Sequence, residues 1–184
     1  MANEVIETGG LCSEPAKGMQ TRSSQKVWCA LFAAVICAVW FHGHFRLAIV
    51  DGESMLPSLG PGDLFLVNKR AYWKREPRRG EIVLARYRRE LIVKRVVGLP
   101  GEQVEVRQGC LYINGQTLAE PYAIQPGYQF ISRGRLVRGR FALLGDNRAL
   151  SAAQALHAVV DKEHVLGKVV WSISLHSPPA RSST

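Results

Sequence analysis

Residues 91–101 read Leu91-Ile92-Val93-Lys94-Arg95-Val96-Val97-Gly98-Leu99-Pro100-Gly101. A run of apolar and β-branched residues closed by Pro-Gly is the pattern of a β-strand entering a turn. Strand alternation puts Ile92, Lys94 and Val96 on one face and Val93, Arg95 and Val97 on the other. An ammonium between two β-branched side chains is unusual, because burial disfavours the charged form. The same desolvation lowers a lysine's pKa and turns it into a base near neutral pH. A second reading stays open here: a central strand apolar on both faces, with Lys94 at its edge reaching water.

Working outward, the pattern repeats. Apolar or β-branched runs occur at Leu47–Val50, Leu64–Val67, Ile82–Ala85, Val104–Val106, Leu111–Ile113, Phe141–Leu144 and Val165–Ile173. Turn signals separate them: Gly60-Pro61-Gly62, Pro77 to Gly80, Asn114-Gly115 and Gly145-Asp146-Asn147. Asn114-Gly115, between Leu111–Ile113 and Gln116–Leu118, is a two-residue hairpin signal. Only Ala149–His157 has the makings of a short turn or helix. Residues 46–176 are therefore expected to form a mostly β domain of several short strands.

Upstream the period changes. From Val27 to Phe45 the chain carries no charged side chain, and as a helix this run would span about 28 Å, close to the hydrocarbon thickness of a bilayer. Trp28 at one end and Trp40, Phe41 and Phe45 at the other suit an interfacial aromatic belt. His42 and His44 read as interfacial residues rather than metal ligands. A cleaved leader is disfavoured, because Trp40, Phe41 and His42 stand where small residues would be needed. Residues 27–45 are thus expected to be a transmembrane anchor. Arg22 and Lys26 before it place the N-terminus in the cytoplasm and the domain on the far side, although Arg46 opposes that orientation. Residues 1–26 are expected to be a disordered cytoplasmic tail and residues 177–184 a disordered C-terminal tail.

The chain has 184 residues, room for one domain plus these extras. Its four cysteines form neither a disulfide framework nor a zinc spacing, and no metal or cofactor site is expected. Cys110 is expected to be a small buried or half-buried apolar residue. The net charge of +9 lies beyond the apolar run, because the carboxylates and cations of residues 1–26 cancel. Such a charge suits nucleic acid, an anionic lipid surface or a merely solvated basic surface, and an anchored domain across a membrane disfavours the first.

Two further segments carry candidate chemistry. In Asp51-Gly52-Glu53-Ser54-Met55-Leu56-Pro57 a serine sits on a turn directly after a strand, as nucleophiles do, and as turn-capping serines do. In Gly145-Asp146-Asn147-Arg148, with Ser151 following, the turn is either part of a site or only a tight loop. Asp146 and Arg95 are also candidates for a structural ion pair.

Taken in order, these segments resemble the type I signal peptidase family of Ser–Lys peptidases, which includes bacterial leader peptidases and mitochondrial inner-membrane peptidase subunits. The resemblance covers about residues 25–173. It is carried by Gly52-Glu53-Ser54-Met55-Leu56-Pro57 with Gly62-Asp63, and by Arg79-Gly80-Glu81-Ile82-Val83. Lys94-Arg95-Val96-Val97-Gly98-Leu99-Pro100-Gly101-Glu102 is its most specific part. Leu111-Tyr112-Ile113-Asn114-Gly115 with Glu120-Pro121-Tyr122, and Gly145-Asp146-Asn147-Arg148 with Ser151, complete it. The resemblance implies a signal-peptidase-like β domain behind one N-terminal transmembrane helix, and removal of signal peptides from exported pre-proteins. It implies Ser54 as nucleophile, Lys94 as general base, Ser151 orienting Lys94, and Asp146, Arg95 and Gly52 in support. Met55 and Pro57 would contact substrate, which would bind as an added strand with small residues first and third before the cut. The partners implied are pre-protein signal peptides, membrane lipid and, as a candidate, a paralogous peptidase subunit. The bacterial plasma membrane is the first expectation for location and the mitochondrial inner membrane the second.

The sequence departs from the family at two places. Gly52 stands where many bacterial members have an oxyanion-stabilising serine. Ala153 and Ala155 stand where the family usually has an aspartate and an arginine. Two other readings compete: a catalytically weak or inactive relative acting as a membrane-tethered binding module, and a self-cleaving repressor-type Ser–Lys protease. The latter lacks the N-terminal DNA-binding domain it would need.

Overall fold

A computed structural model describes residues 21–122, 127, 130–150 and 157–175. The expectations for the two tails, and most of Ala149–His157, lie outside these residues. The chain divides into two units, 1–40 and 41–184.

The first unit is described from Thr21, where helix α1 (Thr21–His44) begins. Within it Gln25–His44 is long and apolar enough to cross a membrane. Every residue from 25 to 43 is exposed among the described residues, Trp28, Phe32, Val35 and Val39 each by more than half. The helix stops one residue short of the expected end of the apolar run, because Phe45 already pairs as a strand with Asn68.

The second unit is the β domain. In chain order its strands are β1 (Phe45–Ile49), β2 (Leu64–Asn68), β3 (Ile82–Tyr87), β4 (Glu90–Gly98), β5 (Gln103–Arg107), β6 (Cys110–Ile113), β7 (Gln116–Thr117), β8 (Ile131–Arg135), β9 (Arg140–Leu144), β10 (Ala158–Asp161) and β11 (Val165–Ile173). Among the described residues they build a seven-stranded sheet, β1-β2-β11-β3-β4-β9-β10, and a four-stranded one, β7-β6-β5-β8. Every strand pair is antiparallel. The mostly β architecture is the one expected from the alternating runs, and Asn114-Gly115 forms its hairpin turn with positive φ at both positions.

Three apolar clusters hold the domain. One lies where the sheets meet: Val97, Ala142 and Leu144 pack with Val104, Val106 and Leu111. A second gathers Val83, Ala85, Ile92, Val96, Phe141 and Leu143 in the middle of the large sheet. The third, formed by Val50, Met55, Leu59, Phe65, Val67 and Leu84, fills the space under the loop that joins β1 to β2. Each cluster draws on residues from at least two strands, so burial rather than local propensity fixes the register.

One expectation is corrected. Cys110 is exposed, not buried. The β5–β6 hairpin pairs Val106 with Leu111, and both face the core at 0% exposure. Alternation then turns the neighbouring Cys110 outward.

Candidate active site

The loop carrying Ser54 runs from Val50 to Asp63. Its neck is closed by Val50 N–H donating to Asp63 O and Gly62 N–H donating to Val50 O, each at 2.9 Å. Inside it, Leu56 N–H donates to Glu53 O (3.1 Å) and Leu59 N–H to Met55 O (2.9 Å), while Met55 and Leu59 plug the third cluster. The Asp63 carboxylate accepts from the amides of Gly60 and Leu175, each at 2.8 Å. Ser54 therefore sits on a turn tied at its base and packed from below, as a positioned nucleophile needs.

A second loop clasps that turn from the other side. Asn147 N–H donates to Ser54 O (3.1 Å) and Asn147 Nδ2 to Glu53 O (3.2 Å). Gly145 makes the approach feasible, since a Cβ there would overlap the Ser54 carbonyl oxygen. This fits the order Gly145-Asp146-Asn147: a residue without a side chain, a charge turned inward, then an amide that holds the backbone of the Ser54 turn.

Lys94 comes from β4. It is flanked along its strand by buried Ile92 and Val96 and lies directly opposite Val83, which is 0% exposed. Lys94 itself is 4% exposed, and its Nζ donates a hydrogen bond to Ser54 Oγ. Burial pushes the Lys94 pKa down from 10.5 to about 8, against a smaller opposing pull from the Asp146 charge. The open alternative from the sequence, a lysine reaching water at a strand edge, is not what forms. A serine hydroxyl bonded to a lysine whose charged form is disfavoured can give up its proton to that lysine.

Asp146 is fully buried and paired with Arg95, whose Nε donates to Asp146 Oδ1 at 2.8 Å. The rest of the Arg95 guanidinium is also engaged: Nη1 donates to Gly80 O (2.7 Å) and Nη2 to Ser58 Oγ (3.1 Å), and its Cζ lies 3.9 Å from the centre of the Tyr122 ring. Tyr122 Oη donates to Glu120 Oε1 (2.9 Å), which also accepts from Arg148 Nη2 (2.6 Å). Arg148 is wholly buried and further donates to Gly145 O and Gly109 O, each at 2.8 Å. A chain of charge-assisted contacts thus links the four-stranded sheet to the loop holding Asp146.

Ser54 and Lys94 both line a cleft of about 870 Å³ whose lining also includes Ala48, Ile49, Gly52, Met55, Leu84 and Leu150. Gly52 lies in the wall at φ +108°, a conformation that favours glycine. A serine hydroxyl at this position would have to be carried on a strained backbone. Met55 lines the cleft, whereas Pro57 is exposed and outside its lining. Ser151, Ala153 and Ala155 lie outside the described residues.

The structure thus brings Ser54, Lys94, Asp146, Arg95, Gly52 and Met55 together. Sequence reasoning missed Asn147 as the clasp on Ser54 and Tyr122 as the face against Arg95. An Asn after Gly-Asp gives a turn signal only, and its role depends on a partner more than ninety residues away in sequence.

Against known proteins, residues 23–174 match the family model described as signal peptidase, peptidase S26. The chain is 36% identical over 142 residues to signal peptidase I of Bacillus caldolyticus, covering 68% of this chain and 77% of that one. It is 34% identical over 149 residues to signal peptidase I of Leptolyngbya laminosa, covering 71% and 73%. A crystal structure of a signal peptidase I from Enterococcus faecalis is similar at 28% identity with a TM-score of 0.41, over 52% of this chain and 97% of that one. With a family match across most of its length and relatives above 30% identity over most of theirs, the chain belongs to the signal peptidase family, peptidase S26.

Proposed function

We propose that this chain is a membrane-anchored serine endopeptidase that removes signal peptides from exported pre-proteins, with Ser54 as nucleophile and Lys94 as general base. The observation that carries the proposal is the hydrogen bond between Lys94 Nζ and Ser54 Oγ inside a cleft where the lysine is dry. Neutral Lys94 accepts the Ser54 proton as Oγ attacks the scissile carbonyl. The protonated lysine then returns that proton to the leaving amine, leaving an ester on Ser54. Lys94 next draws a proton from water, which attacks the ester, and passes that proton to Ser54 Oγ as the ester bond breaks and the signal peptide leaves as its carboxylic acid. The oxyanion is stabilised by backbone amides of the Ser54 turn, because Gly52 offers no hydroxyl.

Two strand edges at the cleft suit an extended substrate. Among the described residues β1 pairs only with β2, leaving its other edge open, and β4 meets β9 only from Arg95 onward. Residues of β1 and of Glu90–Lys94 both line the cleft. A peptide laid against them presents alternate side chains to one wall, so the first and third residues before the cut are selected together.

The membrane part of the proposal rests on α1 and on one face of the large sheet. Leu47 and Ile49 of β1 are aligned, through Leu66 and Leu64 of β2, with Trp171 and Ile173 of β11. Leu47, Ile49, Trp171 and Ile173 are each at least 40% exposed. A contiguous apolar face of that kind marks an interaction surface. Lipid there would keep the neighbouring cleft dry. The bacterial plasma membrane is the proposed location.

The test is cleavage of a pre-protein by the full chain in proteoliposomes. Wild type should release the mature protein, and Ser54→Ala and Lys94→Ala should release none. Correctly inserted wild type that is as inert as both variants would leave the peptidase reading without support.

A further inference from the structure

The segment between β2 and β3 is the most basic stretch of the β domain, and the proposed reaction does not use it. Residues 69–79 read Lys69-Arg70-Ala71-Tyr72-Trp73-Lys74-Arg75-Glu76-Pro77-Arg78-Arg79, six cations against one carboxylate. Two of the cations are committed inside the domain: Arg75 pairs with Glu81 and Arg79 with Glu102. Arg70, Lys74 and Arg78 are exposed and enter no ion pair among the described residues.

The loop is anchored, yet it shows an indole to solvent. Tyr72 is buried in the core and its hydroxyl donates to Glu81 at 3.0 Å; Pro77 is buried as well. Next to Tyr72, Trp73 is 69% exposed, with the Arg70 guanidinium 4.2 Å from the ring centre. A large amphipathic ring held outward beside cations suits a surface that is apolar below and anionic above.

The root of the loop fixes where that surface is. Lys69 N–H donates to His44 O at 2.8 Å, and Lys69 Nζ donates to His42 O at 2.5 Å. His42 and His44 are the last residues of the stretch long enough to cross a membrane. Trp73 is four residues further on, so its Cα lies within about 14 Å of Lys69 even if the chain were fully extended. The root of the loop is therefore held where the apolar run ends, and Trp73 stays within reach of it.

We propose that loop 69–79 is a binding site for the headgroups of anionic phospholipids, with Trp73 seated at the interface and Arg70, Lys74 and Arg78 binding phosphate. The inference rests on α1 being a membrane span. It goes beyond the anchor, since it assigns the domain a preference for lipid charge through a surface distinct from the apolar sheet face. Each cation held near an anionic surface contributes about fivefold.

The test uses the full chain in nanodiscs of phosphatidylcholine with or without phosphatidylglycerol, after alkaline carbonate extraction confirms insertion. Trp73 quenching by headgroup-labelled lipid is read as the difference between wild type and Trp73→Phe. That difference should be present, should grow at least fivefold when a third of the lipid is anionic, and should lose its dependence on lipid charge in the triple variant R70Q/K74Q/R78Q. The triple variant should still cleave a soluble peptide at the wild-type rate, showing that it folds. Trp73 quenched by aqueous iodide but not by lipid would overturn the proposal, as would equal quenching in neutral and anionic nanodiscs. A chain released by carbonate would overturn it through its premise. Persistent lipid quenching in a chain that cleaves nothing would uphold the lipid site while sinking the proposed reaction.

Discussion

Raising the pH from 7 to 9 should increase kcat/KM about tenfold, along a single-proton limb with its midpoint near 8. The magnitude follows from the burial of Lys94, which lowers its pKa from 10.5 to about 8. At pH 7 about a tenth of the molecules then hold Lys94 neutral, against about one in three thousand for an ordinary lysine. At pH 9 about nine-tenths do. The assay is cleavage of a fluorogenic signal-peptide substrate at concentrations well below KM, so that the profile reports the free enzyme. Asp146→Asn supplies a second arm with a fixed sign. The Asp146 charge favours protonated Lys94, so its removal should move the limb to lower pH even though the maximal rate falls. A rate flat between pH 6 and 9, a midpoint near 10.5, or a limb that moves upward in Asp146→Asn would refute the reasoning.

Other consequences concern stability. Lys94→Met should abolish cleavage yet raise the thermal midpoint in calorimetry. Folded Lys94 titrates near 8 and unfolded Lys94 near 10.5, so the folded state binds fewer protons between those values and stability rises with pH across them. Below pH 8 the wild type bears the full burden of about 3 kcal/mol, which an apolar side chain of similar length removes. Arg148→Met should act in the opposite direction, losing about 3 kcal/mol in denaturant titration, because it strands buried Glu120 and two backbone carbonyls. Gly145→Ala should lower kcat/KM at least a hundredfold, since the added methyl displaces the Ser54 turn, which both carries the hydroxyl and lines the cleft.

Much of this fold was legible because most strands carry their own pattern. β4 alternates buried and part-buried positions from Ile92 to Val96, and a Pro-Gly turn ends it. The strands that escaped notice lack such a pattern. β8 reads Ile131-Ser132-Arg133-Gly134-Arg135, with four of five positions exposed, and it exists because β5 offers it an edge. β10 is only four residues long, Ala158–Asp161, and only Ala158 and Val160 face inward. The β3–β4 turn is made by Arg88 and Arg89, both at positive φ, where no glycine or asparagine advertises it.

The site was legible in a different way. Ser54 on a turn and Lys94 on an apolar face were visible, but neither residue implies the other. Their meeting is a contact between residues forty apart, made when the loop joining β1 to β2 packs against the large sheet. The depressed pKa is likewise a property of the burial that the folded sheet imposes on Lys94. Pro57, expected to contact substrate, shows the limit of adjacency: two residues from Met55 in sequence, it lies outside the cleft lining.

The most direct test of the Ser–Lys mechanism is mass spectrometry of the enzyme after acid quenching during turnover of a pre-protein. The mechanism requires an ester-linked signal peptide on the fragment containing Ser54, present in wild type and absent from both Ser54→Ala and Lys94→Met. An adduct on another residue, or continued cleavage by Ser54→Ala, would contradict it.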